Sequence, residues 1–315
     1  MSEAAPALSV VVPFYNEAGN VTPLFEEIRA VMDAVGRPFE MVFVNDGSTD
    51  GTLPELRGLA AGDARLRIID LDGNFGEAAA LSAGFRAARG DLVITLDGDG
   101  QNDPHDIPRL LETLERNGYH VVSGWRQQRQ EGFMLRVLPS RLANRMIAAV
   151  SGLPVHDNGC GLKVYRRAVV AHAALPRGMN RFMPAIFGVT PAQVTEVPVN
   201  DRHRQHGQSH YGISRTIVVL RDLLALRFIL NSPRVAEPVM AAVMSIAGLA
   251  LLYALWRPSV ALLCAAAVIA AVACLIWRNL RRYNHAQRHG VYRVRREYSA
   301  AAEGIASSSV NRGAQ

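Results

Sequence analysis

Leu92-Val93-Ile94-Thr95-Leu96-Asp97-Gly98-Asp99-Gly100-Gln101-Asn102-Asp103-Pro104 is the stretch on which the reading of this chain turns. Five apolar or β-branched residues form a buried strand that stops at two carboxylates one residue apart, and a polar turn follows. In an open α/β sheet, ligands bind beyond the carboxyl ends of the strands. Two acidic side chains there suit a hard divalent cation, Mg²⁺ or Mn²⁺, that keeps coordination positions for substrate phosphates. A strand followed by an acidic turn of no chemical use has the same local pattern, so the neighbouring segments must decide.

Residues on either side repeat the pattern. Strands are expected at 9–12, 39–44, 66–71 and 92–96, and helices at 21–35, 53–61 and 77–88. Alternating strands and helices with short connections imply a mostly parallel, Rossmann-like sheet covered by helices. No G-x-G-x-x-G follows the first strand, so a dinucleotide fingerprint is absent. Four strand ends carry polar clusters: Pro13-Phe14-Tyr15-Asn16-Glu17, Asn45-Asp46-Gly47-Ser48-Thr49-Asp50, Asn74-Phe75-Gly76 and Asp97-Gly98-Asp99. A parallel sheet gathers all four on one edge. Any one of them has a structural explanation, Asp46 and Asp50 as helix caps for instance; four together point to a site.

The chain has 315 residues, 49% of them hydrophobic and 20% charged, which excludes a disordered chain and allows one large domain with an appendage. The net charge of +6 rests on 33 arginines and a single lysine, Lys163. No nucleic-acid partner is expected. Cys160, Cys264 and Cys274 have neither metal-site spacing nor a disulfide pattern, and residues 1–8 do not read as a signal peptide. Segments 134–150 and 213–229 have the pattern of amphipathic helices, equally suited to a membrane surface or to a core.

Beyond residue 234 the composition changes. Residues 236–256 and 259–277 are apolar runs, interrupted only by Glu237 near the start of the first. Each approaches the ~20 residues that cross a bilayer. Arg278, Arg281, Arg282, Arg288, Arg293, Arg295 and Arg296 follow the second run, while Arg257 alone lies between the two. The positive-inside rule then places the main domain and the tail in the cytoplasm, on a multi-pass protein of the cell (inner) membrane. Trp256 and Trp277 stand where interfacial aromatics belong. The expected division is 1–234 for the catalytic domain with its membrane-surface helices, 235–278 for the hairpin, and 279–315 for a basic, partly disordered tail.

The motifs Pro13–Glu17, Asn45–Asp50 and Asp97–Gln101 resemble those of family 2 glycosyltransferases of the GT-A fold. Within these, the chain resembles the polyprenyl-phosphate glycosyltransferases related to dolichol-phosphate mannose synthase, over residues 8–230. The resemblance implies inverting transfer of a sugar from a UDP- or GDP-sugar to a polyprenyl phosphate, undecaprenyl phosphate in a bacterial chain, beside membrane lipids. It leaves a homo-oligomer open, since related membrane-anchored enzymes assemble as tetramers.

Roles follow from the resemblance by position. Pro13, Tyr15, Glu17 and Asp46 would cradle the nucleotide, with Asp50 in the same motif. Asp97, Asp99 and Gln101 would bind the metal and diphosphate. Arg126, Ser140 and Arg141 would meet the acceptor phosphate. Asp157, Lys163 and Arg181 would line the donor sugar, and Arg202, Arg204 and His210 would belong to a basic loop over the diphosphate. The chain departs from the family pattern at Gly98 and Gly100, which imply a looser loop, at Asn180, which stands where His is usual, and at His210, which stands where Lys is usual. A processive polysaccharide synthase would carry a Gln-x-x-Arg-Trp motif, absent here. A catalytically inactive nucleotide-sugar-binding membrane protein would be expected to lack one of the two carboxylates.

Overall fold

Alternate residues of the first two strands pack into different cores. Strand β1 (Leu8–Phe14) and strand β2 (Phe39–Asn45) are buried throughout. Val11, Val42 and Val44 join one hydrophobic cluster, whereas Val10, Val12, Met41 and Phe43 join another. A strand turns successive side chains to opposite faces, so a sheet covered on both sides reads as a continuous apolar run. The computed structural model describes residues 5–127, 138–202, 213–257 and 259–300, without the side chains of 138–143 and 213–221.

Helices α1 (Val21–Val35) and α2 (Thr52–Gly62) follow these two strands. Then come strand β3 (Leu66–Leu71), helix α3 (Glu77–Ala87), strand β4 (Leu92–Thr95), helix α4 (Ile107–Arg116) and strand β5 (Val121–Trp125). Helix α5 (Leu138–Ser151) leads to strand β6 (Lys163–Arg166), the short helices α6 (Arg167–Val170) and α7 (Met183–Ile186), strand β7 (Val194–Pro198) and helix α8 (Ile213–Asn231). Two long helices, α9 (Pro233–Trp256) and α10 (Val260–His289), precede strand β8 (Val294–Ser299). The sheet order is β7-β5-β6-β4-β1-β2-β3-β8. β4, β1, β2 and β3 run parallel, and β6 and β8 run antiparallel to β4 and β3.

The sheet is covered by each helix's buried face, which in α3 is the whole run Ala78–Phe85. In α4 it is Ile107, Leu110, Leu111 and Leu114, at helical spacing. Helices α1, α2 and α4 supply the cluster that contains Phe43, while α3 supplies the opposite cluster through Ala78 to Phe85. Ile147 of α5 and Leu223, Leu226 and Ile229 of α8 join the α3 side. Both helices therefore face the core on one side, with Arg145, Met146 and Leu224 exposed on the other.

Helices α9 and α10 are long and apolar enough to cross a membrane, and only 11% and 17% of their most apolar windows is buried within the protein. They pack on each other. Near the hairpin's foot, Asn284 Nδ2 donates to Glu237 Oε2 at 2.6 Å, so the one acid of the first apolar run is partnered. The first part of the basic tail, up to residue 300, is described, and residues 301–315 lie outside the described residues. α10 does not stop at Trp277 but continues to His289, because no helix breaker intervenes before Gly290. β8 then closes the β3 edge, where Arg67 bridges Glu297 at 2.6 Å and Glu40 at 3.0 Å. A sheet edge presents unpaired backbone groups, and Asp70 and Asp72 give this one a charge that Arg293 and Arg295 match.

Candidate active site

The chain leaves β3, crosses β2 and β1 and enters the sheet again as β4, so strand order reverses between β1 and β4. Such a reversal opens a crevice at the strands' carboxyl ends. Gly98 lies at its base. A Cβ there would sit 2.6 Å from Pro13 O and 2.7 Å from the Phe14 ring. The expectation that Gly98 loosens the loop is thus corrected: the absent side chain lets the loop press directly under β1.

The loops after β1 and β2 are tied to each other. Asn16 adopts φ +54°, a left-handed conformation that Asn tolerates better than most residues. Its amide donates to Ser48 Oγ at 3.1 Å, and its Oδ1 accepts from the Thr49 amide at 2.8 Å. Glu17 donates its amide to Thr52 Oγ1 at 2.9 Å, and its carboxylate accepts from Asn20 Nδ2 at 2.7 Å. Asp50 accepts from the amides of Thr52 and Ala18. Asp50 therefore ties the first residue of α2 to the loop after β1 and staples the two loops, the structural alternative to nucleotide contact.

Asp46 is buried. Its carboxylate accepts the amides of Phe75 at 2.7 Å and Gly76 at 2.8 Å. Burial raises its pKa, with those two amides and Arg177 opposing. Asp46 thereby fixes the loop between β3 and α3 against the loop after β2. Tyr15 is 45% exposed beside them and offers a ring face to a flat ligand.

Asp97 and Asp99 follow β4. The Asp97 amide donates to Asn102 Oδ1 at 2.9 Å, and Asp99 Oδ1 accepts the Gln101 amide at 3.1 Å. Burial, then repulsion from Glu77 and Asp99, push the Asp97 carboxyl up to about 8, against the pull of Arg126 and Lys163. Beside it is a cavity of about 50 Å³ whose lining includes Glu77, Asp97, Gly161, Lys163, Asn180 and Arg181. Lys163 is 2% exposed and donates to the carbonyls of Cys160 and Asn158. Its register partner in the sheet is Thr95, which places it level with the end of β4. The Cys160 thiol is pushed up to about 11 by burial and stays protonated at neutral pH.

Other expected ligand-binding residues are engaged elsewhere. Arg126 grips Asp157 through Nε at 2.9 Å and Nη2 at 3.2 Å, with 12% of its side chain exposed. The two side chains assigned to acceptor and sugar instead join the end of β5 to the loop before β6. Burial opposes the Arg126 charge, but Asp157 outweighs it and holds the guanidinium far above its ordinary range. Arg202 likewise pairs with Glu27 at 2.8 and 2.9 Å and with Asp103 at 2.6 Å. It clamps the chain over the Asp99–Asn102 turn rather than reaching toward a diphosphate. The side chains of Ser140 and Arg141, and all of Arg204 and His210, lie outside the described residues. Glu77 was missed. As the first residue of a helix it reads as a favourable N-terminal acid, yet it accepts from Asn180 Nδ2 at 2.6 Å and faces the Asp97 cavity. Its position just past the Asn74–Gly76 strand end was the available signal.

Two acidic groups bear on a metal. Glu27, Asp103 and His105 bring ligand atoms within 4.8 Å of one another, but the Arg202 guanidinium already supplies the cation there. The Asp97 carboxylate accepts no hydrogen bond from any described residue and is repelled by its neighbours. A hard divalent ion on these oxygen donors would relieve the burial and carboxylate repulsion that oppose the Asp97 charge, so Asp97 and Asp99 are the residues that could hold one.

Comparison with known proteins identifies the family and the fold. The family described as "Glycosyl transferase family 2" matches residues 9–173. A relative from Rhizobium johnstonii named dodecaprenyl-phosphate galacturonate synthase is 44% identical over 227 residues, 71% of this chain and 67% of its own. An undecaprenyl-phosphate 4-deoxy-4-formamido-L-arabinose transferase from Edwardsiella ictaluri is 36% identical over 244 residues, 77% and 74% of the two chains. The fold is that of glucosyl-3-phosphoglycerate synthase from Mycobacterium tuberculosis, solved with Mn²⁺, UDP-glucose and phosphoglyceric acid. That match has a TM-score of 0.54 at 20% identity and covers 71% of this chain and 79% of the other.

Proposed function

This chain belongs to the family 2 glycosyl transferases, and on that premise we propose that it transfers a sugar from a nucleotide diphosphate-sugar to a polyprenyl phosphate at the cytoplasmic face of a membrane. The observation that carries the reading is the crevice between β1 and β4. On one side of it are the stapled loops around Tyr15 and Asp46; on the other is the Asp97 carboxylate beside the small cavity. The names of the two relatives support the acceptor class. The α9–α10 hairpin supports a membrane setting, with the arginines after Trp277 on the cytoplasmic side.

A phosphate monoester has its second pKa near ~6, so the acceptor arrives ionised and requires no general base. The chain's tasks are to hold two anions together and to orient them. A divalent ion on Asp97 and Asp99 would supply Lewis-acid stabilisation of the departing diphosphate. Lys163 and Arg181 bring positive charge to the cavity where the sugar would sit. Asn180 binds Glu77 and keeps it beside Asp97. Arg126 acts through the field it exerts on Asp97 and through its grip on Asp157, not by contact with the lipid. In-line attack at the anomeric carbon inverts its configuration.

The name of the Rhizobium relative points to a hexuronate, and Lys163 and Arg181, which share the cavity lining with Glu77 and Asp97, are the cations that would meet its carboxylate. Purified protein would be given undecaprenyl phosphate, Mg²⁺ or Mn²⁺, and radiolabelled UDP-galacturonate, UDP-glucose, a UDP-aminoarabinose derivative or GDP-mannose in turn. Label entering the organic phase only with metal supports the reaction. Preference for UDP-galacturonate supports the sugar. Transfer from none of the donors, by folded protein that still binds nucleotide, overturns the reading in favour of a binding protein.

A further inference from the structure

Where α10 leaves its apolar stretch, it forms a second, open cavity of about 630 Å³ with the segment around Arg177. Arg177, Trp277, Arg278, Arg281, Arg282 and His285 line it, and no carboxylate does. Arg282 Nη2 donates to Arg177 O at 3.1 Å, which joins the two walls. The Arg281 guanidinium lies 5.1 Å from the Trp277 ring centre. Arg278 and Arg281 form no ion pair with any described residue.

A cleft lined by one sign of charge focuses its field on a counter-ion. Guanidinium groups match phosphate oxygens in a planar fork. Trp277 closes the apolar run and so marks the depth of the bilayer interface, and the arginines that follow it stand at headgroup level. We propose that this cavity binds the phosphodiester headgroup of an anionic glycerophospholipid. The occupant is not the reacting lipid. The acceptor phosphate must reach the cavity at Asp97, and the two cavities share no lining residue. The acyl chains of a bound phospholipid would lie along the exposed apolar surface of α10, on which Val268, Ile269 and Val272 are open. The inference depends on the hairpin lying in a membrane, as proposed above, but not on the transfer reaction.

The test takes the full chain from bilayers of phosphatidylcholine with a minor share of phosphatidylglycerol and counts retained lipids by native mass spectrometry, with no donor present. The wild-type chain is expected to retain phosphatidylglycerol selectively. Arg278→Gln with Arg281→Gln is expected to lower that retention about twenty-five-fold, at roughly fivefold for each arginine near the surface. Arg288→Gln, on the same helix outside the lining, should retain it. Equal retention of both lipids, or an unchanged ratio in the double variant, overturns the proposal. If the double variant fails to fold, the wild-type chain decides: raised salt must strip phosphatidylglycerol, and an unchanged ratio overturns the proposal. Displacement by inorganic phosphate at equal concentration would instead indicate a soluble anion site. Displacement by undecaprenyl phosphate at equal concentration would indicate an acceptor subsite. Either displacement overturns the phospholipid assignment.

Discussion

The backbone of Gly161 lies flat against the carboxylate of Asp97, so close that a Cβ on Gly161 would sit 2.3 Å from the carboxylate carbon. Thr95 Oγ1 donates to Gly161 O at 2.7 Å and fixes this approach from the adjoining strand. Gly161→Ala must therefore displace Asp97. The expected outcome is a fall in kcat of about 10²-fold, the cost of misplacing a reacting group by about 1 Å. Steady-state transfer assays, with melting curves alongside, check it. A variant with normal kcat would show that Asp97 need not stay where it is.

Asp97 and Asp99 make opposite demands on fold and function. Asp97→Asn removes a carboxylate whose charge its surroundings oppose, so the melting temperature should stay level or rise. Asp99→Asn should also leave the protein folded. Both variants should lose Mn²⁺ affinity and at least about 10²-fold in kcat. Titration with Mn²⁺ followed by electron paramagnetic resonance, without donor, measures the first effect. Full Mn²⁺ affinity in both variants would move the metal elsewhere.

The Arg126–Asp157 pair can be separated from catalysis by a double-mutant cycle. Arg126→Met or Asp157→Leu alone leaves the other charge buried without its counter-charge in this pair and should cost about 3–5 kcal/mol. Arg126→Met combined with Asp157→Leu should recover much of that loss, because apolar replacement of a buried pair is often neutral. Urea unfolding of the single and double variants reads the coupling. Additive losses would mean that the pair contributes nothing as a pair.

Acid should loosen the nucleotide loops. Burial pushes the Glu55 carboxyl up, but the Thr22 hydroxyl and the amides of Gly19 and Thr22 outweigh it and leave it below the usual range. Asp50 is lowered in the same way by Thr52 and Ala18. A carboxyl with a depressed folded pKa contributes stability above its unfolded pKa, and that stability disappears as pH falls through the folded value. Melting temperature and nucleotide affinity should both decline below about pH 4. Glu55→Gln should flatten the decline while lowering stability at pH 7. Melting curves from pH 7 to pH 3 are the measurement.

The sheet was readable because burial on both faces forces continuous apolar runs, and each run ends where the chain meets solvent. The strand ends that hold Pro13, Asp46 and Asp97 were legible for that reason. The apolar hairpin was legible from length alone. The β8 strand was not, since Val294-Arg295-Arg296-Glu297-Tyr298-Ser299 has no buried face to impose an apolar pattern and pairs through the backbone and through ion pairs such as Arg67–Glu297.

The sequence by itself determined which groups stand at the carboxyl edge, because strands joined by helices run parallel and end on the same side. Only the tertiary structure decided what each charged group does there. Arg126 and Arg202 carry the residue type expected of phosphate ligands, yet Asp157 lies 31 positions away and Glu27 lies 175 positions away, and those partners claim them. Glu77 reads as a helix-start acid until Asn180 draws it to the cavity. Charge acts through space, and a sequence fixes separation along the chain but not through space.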